Sequence, residues 1–337
     1  MDVAFLASAL LAGALLAVQA SANLQLTKAV GTPYGASTAQ LSVATALLVV
    51  LALVTGAIGA VGLVSDVPSW QLLGGLASPL YITSGILLFP RLGALAAVAL
   101  FVTGQMLASL GLDQLGLLGV DDQSLTVGVV LGAAAVLAGI TMIIRGNQAA
   151  VPQRRTTPGP PEEPTGSAFT TTLKEARQSA PARARIGRAG WVLLGMAAGA
   201  GLPIQGAINA QLHETIHESL AVALVSFTVA TLTIAALLAV LLAVKATPAP
   251  TRSGLDGMPW WGWLGGGCAV VYVMATFLLI PAIGAATTVA LTVTGQQLAS
   301  AAIDSRGLFR MPQRSLTPQR LGGLILLITG SALVQLA

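Results

Sequence analysis

The chain has 337 residues, of which 8% are charged and 55% apolar, with a formal net charge of +4 and a mean hydropathy of +0.84. No water-soluble domain of this size carries so little charge, so the composition excludes a soluble protein and requires a membrane. The single cysteine, Cys268, excludes an intrachain disulfide.

Ten apolar stretches follow one another along the chain: 3–25, 36–64, 70–89, 92–112, 125–144, 190–212, 220–244, 260–280, 283–303 and 319–336. Each reaches the roughly 17–25 residues that a helix needs to cross the hydrocarbon core. Continuous apolar runs predict helices, because barrel strands alternate polar and apolar positions. The first stretch lacks a basic flank and is read as a retained helix, not a signal peptide. Pro79 in helix 3 and Pro203 in helix 6 predict kinks. Trp70 opens helix 3, and Trp260, Trp261 and Trp263 open helix 8, as interfacial anchors. Gly128-x-x-x-Gly132 and Gly195-x-x-x-Gly199 predict close helix contacts.

Threaded with the amino terminus outside, the ten helices put all 16 Lys and Arg residues on the inner side. Lys28, Arg91, Lys245, Arg252, the arginines from Arg306 to Arg320, and every base between Arg145 and Arg188 fall there. The outer segments hold Asp2, Asp66, Asp113, Asp121, Asp122, Glu214 and Glu218 and no base. Both termini are therefore expected outside. The net charge reflects orientation and implies no nucleic-acid partner. Residues 145–189, rich in Pro, Thr and Arg, read as a flexible cytoplasmic linker with bases free to touch anionic lipid.

The two halves repeat. Trp70, Gly74, Gly75, Tyr81, Pro90, Gly93 and Thr103-Gly104-Gln105 align with Trp261, Gly265, Gly266, Tyr272, Pro281, Gly284 and Thr294-Gly295-Gln296. Upstream, Gln19-x-x-x-Asn23 recurs as Gln205-x-x-x-Asn209. The predicted organisation is a first five-helix repeat over 1–144, the linker over 145–189 and a second repeat over 190–337. With an odd number of helices each, the repeats are inverted about an axis in the membrane plane, the arrangement of alternating-access transporters. The fold class is an all-α membrane protein of ten transmembrane helices.

No Asp, Glu, Lys, Arg or His falls in the middle of a predicted helix. The candidate solute-binding residues are accordingly uncharged. Gln105 and Gln296 fall near the midplane, about 13 residues into helices 4 and 9. Ser109 and Ser300 follow each by one turn, on the same face. Tyr81 and Tyr272 are expected near mid-membrane on helices 3 and 8. Gln19 with Asn23, and Gln205 with Asn209, line the two ends of a central pathway. The competing role for all of them is interhelical bonding. Asp113 and Asp304 end helices 4 and 9 and read as solvated charges.

His213-Glu214-Thr215-Ile216-His217 matches H-E-x-x-H, which on a helix puts two imidazoles on one face for zinc with the Glu as general base. An integral-membrane zinc metalloenzyme is therefore the alternative reading, with Asp121 available as a further ligand. No Gly-x-x-x-x-Gly-Lys-Ser/Thr loop for ATP occurs.

The run from Gly201 to Leu212, with Pro203, Gln205 and Asn209, and the run from Pro281 to Ser300 resemble the drug/metabolite transporter superfamily, in particular its YdcZ-like branch. The first half repeats both runs, from Gly13 to Leu26 and from Pro90 to Ser109, and the resemblance spans nearly everything but the linker. It implies ten helices in two inverted repeats, fused in one chain, in a plasma-membrane transporter or exporter. The related small multidrug resistance proteins carry a Glu in helix 1; helices 1 and 6 here have none, which argues against cation substrates and proton antiport. The expected function is a secondary transporter, an exporter of a small neutral or amphipathic solute in the bacterial inner membrane. It is expected to be no enzyme and to need no cofactor. Its partners would be the solute and membrane lipid, and it would act as a monomer because both repeats share one chain.

Overall fold

A computed structural model describes residues 3–119, 126–149, 187–283 and 285–336. Among them every regular element is helical. The α-helices are α1 (Val3–Val30), α2 (Pro33–Thr55), α3 (Ala77–Leu92), α4 (Ala94–Leu115), α5 (Val127–Ala149), α6 (Arg188–Ile216), α7 (Ser219–Ala243), α8 (Leu264–Ile283), α9 (Ala285–Arg306) and α10 (Pro318–Leu336). Short 3-10 segments precede α3 and α8, at Ser69–Leu76 and Trp260–Trp263.

Local chemistry sets the helix ends. Thr32 accepts from the Gly35 amide with Pro33 at the first helical position, which starts α2. The apolar stretch 36–64 is not one helix. Gly56 takes φ +82 and ends α2, and a separate 3-10 segment, Ala57–Asp66, follows. Pro79 sits in the first turn of α3, directly after the 3-10 segment Ser69–Leu76, so the change from 3-10 to α geometry falls beside it. Pro203 does lie inside α6. The linker expected over 145–189 is trimmed by helix at both ends, since α5 continues to Ala149 and α6 begins at Arg188. Residues 150–186 lie outside the described ones, as do Asp121, Asp122 and Gly284.

Seven helical segments among the described residues are long and apolar enough to cross a membrane: Val3–Val30, Pro33–Thr55, Ser69–Leu92, Ala94–Leu112, Val127–Gly146, Ala189–Ile216 and Ser219–Ala243. Pro318–Val334 in α10 is apolar but shorter. The chain is a multi-pass helical membrane protein. Large apolar side chains face outward on α2 and α7, such as Val54 and Val240, as a lipid solvent requires. α4 is the buried centre, with every residue from Ala94 to Val102 within 1% of full burial.

Small residues bring the helix backbones together, and the contacts come in matched pairs. A Cβ on Gly13 would fall on the Thr292 carbonyl, and one on Gly199 on the Phe101 carbonyl. Likewise Gly295 lies against the Leu10 carbonyl and Gly104 against the Met196 carbonyl. So α1 packs on α9 as α6 packs on α4. Gly75 against α7 at Ser226 is matched by Gly266 against α2 at Gln40. On α5 and α10, Gly132 meets the Gly330 carbonyl and Gly139 the Gly323 carbonyl, so these two helices run antiparallel. With no water to expel between helices in lipid, such van der Waals contact is the main source of association.

Candidate functional site

The central polar residues fall into two groups. In the first, Gln296 on α9 donates from Nε2 to the Tyr81 hydroxyl on α3 at 2.8 Å, and both side chains are buried. The Phe101 ring packs on Tyr81 with centroids 4.7 Å apart. Gln19 and Asn23 on α1 are 5% and 1% exposed and line a cavity of about 10 Å3 with Tyr81 and Phe101. Asn23 donates from Nδ2 to Gln40 Oε1 at 3.2 Å, and Gln40 donates onward to the Gly265 carbonyl at 3.4 Å. A Cβ on Gly265 would fall on Asn23 Oδ1. That glycine is what lets the amide oxygen sit against α8.

The second group repeats the partners but not the closure. Asn209 donates to Ser226 Oγ at 3.3 Å, where Ser226 takes the place of Gln40, and its Oδ1 packs on Gly74 as Asn23 packs on Gly265. Gln205 accepts from Ser78 Oγ at 3.0 Å and donates to Ser226 at 3.4 Å. Gln205, Asn209, Tyr272 and Gln105 are only half-buried. Gln105 and Tyr272 correspond to the bonded pair Gln296 and Tyr81, and no hydrogen bond joins them. Ser300 turns back on its own helix, donating to the Gln296 carbonyl at 2.6 Å, and is fully buried. Ser109 is half-buried on α4.

Several buried polar atoms have no hydrogen-bond partner among the described residues: Gln19 Oε1, Asn23 Oδ1, Asn209 Oδ1, Gln71 Oε1 and both amide atoms of Gln297. Leaving such a group unsatisfied costs about 1–3 kcal/mol each, and unmet buried acceptors are where a ligand or water belongs.

A third cluster overturns the solvated reading of Asp304. Its carboxylate is fully buried, 2.7 Å from Arg320 Nη2, which is equally buried. The carboxylate also accepts from the Ala94 amide at 2.7 Å and the Leu95 amide at 3.2 Å, so it caps α4 from the end of α9. Arg320 donates as well to the Arg314 and Ser315 carbonyls, and Arg314 to the Arg91 carbonyl at 3.2 Å. Burial lowers the pKa of Arg314, while the Asp304 charge raises it. Nearby, Gln25 donates to the Phe309 carbonyl at 2.9 Å and ties the end of α1 to the same turn.

The H-E-x-x-H segment does not build a zinc face. α6 ends at Ile216, and His217 is its left-handed cap at φ +56, so the two imidazoles do not share a helical face. His213 Nε2 lies 3.1 Å from Ser219 Oγ instead. No group of three or more His, Cys, Asp or Glu able to hold a metal occurs among the described residues.

The family described as "Putative inner membrane exporter, YdcZ" matches residues 4–142 and 190–333. The chain belongs to that family. It is thus a transporter-type protein of the inner membrane, of the drug/metabolite transporter kind. No curated protein matches it. A solved structure described as "Crystal structure of protein" is similar to this chain at 15% identity and a TM-score of 0.56, covering 98% of this chain and 97% of that one; the likeness is one of fold alone. Gln40, Ser226 and Ser78 join the site although the sequence does not mark them. Gln40 and Ser226 answer each other in the two halves but differ in type, so the repeat does not mark them.

Proposed function

We propose that the chain is a secondary transporter, an exporter, that moves a small neutral or amphipathic solute by alternating access. In this reading all ten α-helices cross the membrane as two inverted five-helix repeats, residues 1–144 and 190–337, joined by a cytoplasmic linker. The observation that carries it is the pairing of contacts. Each glycine crossing between α1 and α9 has a twin between α6 and α4. α5 and α10, which correspond to each other, run antiparallel. A twofold axis relating two antiparallel partners must lie across the helices, hence in the membrane plane.

The two amide groups supply the solute path in this proposal. Gln19, Asn23, Tyr81 and Gln296 form the closed side. Gln205, Asn209, Tyr272 and Gln105 form the looser side. Exchange of these two conditions is the alternation, with Ser109 and Ser300 beside the two central glutamines. Bases on one side only favour both termini outside. The uncharged lining favours a neutral solute over an ion.

Two measurements test it. Impermeant labelling of cysteines at both termini of intact cells should modify both from the outer face; ends on opposite faces would sink the inverted arrangement. A metabolite panel in proteoliposomes should reveal at least one saturable flux, abolished by Gln296→Leu in a chain that still folds. Flux indifferent to that change would leave the amides a packing role only.

A further inference from the structure

One crevice between helices stands open where its repeat counterpart is filled. α1 and α8 enclose a groove of about 290 Å3, with Phe5 and Leu11 on one wall and Val271, Ala275 and Leu278 on the other. That volume is close to the ~300 Å3 at which ligand pockets begin. Ser8 is the single polar side chain in its lining among the described residues. Leu278 is 73% exposed and Leu11 63%. The counterpart crevice lies between α6 and α3. There Trp191 stands where α1 has Phe5, Leu194 where it has Ser8, and Arg91 where α8 has Ala282. The Arg91 guanidinium lies 4.3 Å from the centroid of the Trp191 ring, and Trp191 packs against the core. Leu87, which matches Leu278, is half-buried. The protein fills one crevice with its own indole and leaves the other to a different occupant.

We propose that the groove between α1 and α8 binds one acyl chain of a membrane lipid. Water would find one hydroxyl there and no further partner, and an apolar void of that kind stays dry. An empty groove forfeits the dispersion contacts of both walls. A polar molecule would lose its hydration against them. A hydrocarbon chain meets none of these costs, and it is the solvent around α1, a helix long and apolar enough to cross the membrane. The groove reaches as deep as Leu15, and the next residue, Leu16, lines the cavity beside Tyr81. The tip of the chain therefore comes to the level of the closed polar group. In the orientation proposed above the lipid belongs to the outer leaflet. The inference needs the chain to sit in a membrane and does not need it to transport.

The test uses the purified full chain in nanodiscs of phosphatidylcholine, doped with a phosphatidylcholine that carries a diazirine midway along one acyl chain. After illumination, peptide mass spectrometry reads the adduct at each lipid-facing residue. Adducts at Leu11 and Ala275 should exceed those at Val54 and Val240, which are exposed on α2 and α7. Ala275→Trp fills the groove and should cut the Leu11 adduct to the level of Val54. Ser8→Leu, a smaller filling, should lower it in part and serves if the first variant does not fold. Native mass spectrometry from mild detergent should find one phospholipid held by the parent chain and lost in Ala275→Trp. A Leu11 adduct no higher than that of Val54, or a held lipid that survives both substitutions, would overturn the proposal. A dimer that Ala275→Trp splits would assign the groove to a second copy and overturn it equally. Absence of any solute flux would break the transport reading and leave this site standing.

Discussion

Two groups of residues that match position for position in the repeated halves stand in different conditions. Tyr81 and Gln296 are bonded and buried; Tyr272 and Gln105 are half-buried and unbonded. Gln25 reaches the Phe309 carbonyl, whereas Gln211 has no matching bond to Leu118, although Leu118 and Phe309 share the same left-handed φ of 55°. The matched residues are alike but their neighbours are not: Phe101, which packs on Tyr81, is answered by Thr292, and Ser78, which bonds Gln205, by Ala269. Under the transport proposal, unequal conditions at two corresponding sides are those of one end of a two-state exchange.

The largest test of that comparison is the charged knot at the closed end. Asp304, Arg320 and Arg314 join the end of α9, the start of α4 and the turn before α10. In the first half the positions corresponding to Arg320 and Arg314 are Val129 and Gln123, so the second half alone has this pair of bases. Asp304→Ala leaves Arg320 buried and unpaired and should cost about 3–5 kcal/mol, read as a lowered chemical-denaturation midpoint. Asp304→Ala with Arg320→Met should recover most of it. No recovery would mean that the α4 cap, not the ion pair, is what matters.

How much of this was legible beforehand depends on the kind of signal. Long apolar runs declared the helices, because lipid demands them of every spanning segment. The paired glycines were visible as repeated letters, but their partners, backbone carbonyls such as those of Thr292 and Leu10, leave no mark in a sequence. The knot was hidden for another reason. An Asp at a helix end and an Arg in a loop look solvated, and only the folding of the 307–317 segment over the α3–α4 turn removes the water. The break at Gly56 was lost inside an unbroken apolar run, since hydropathy carries no information on φ.

A smaller effect sharpens the pairing itself. Gly13→Val and Gly199→Val insert side chains at equivalent crossings, each against a backbone carbonyl that cannot rotate away. Overpacking of this kind costs about 1–3 kcal/mol or more. The two variants should lose equal stability within error, by denaturation in detergent. A large difference would mean that the crossings are alike in sequence but not in energy, and the twofold description would have to be confined to the remaining helices.

The smallest expected effect bears most directly on the two states. Tyr81→Phe removes one hydroxyl and leaves Gln296 Nε2 without its 2.8 Å partner in a buried setting. Tyr272→Phe removes a hydroxyl that bonds to nothing across the bundle. On stability alone the first should cost about 0.5–1.5 kcal/mol and the second close to nothing. If the sides exchange, however, Tyr272 bonds to Gln105 in the opposite state. Tyr272→Phe would then weaken that state, and Tyr81→Phe the present one. Labelling of cysteines placed at Ala20 and Gly206, equivalent positions on α1 and α6, should therefore shift in opposite directions in the two variants. A shift in one variant only would mean that the inequality is built in and that the two sides do not trade places.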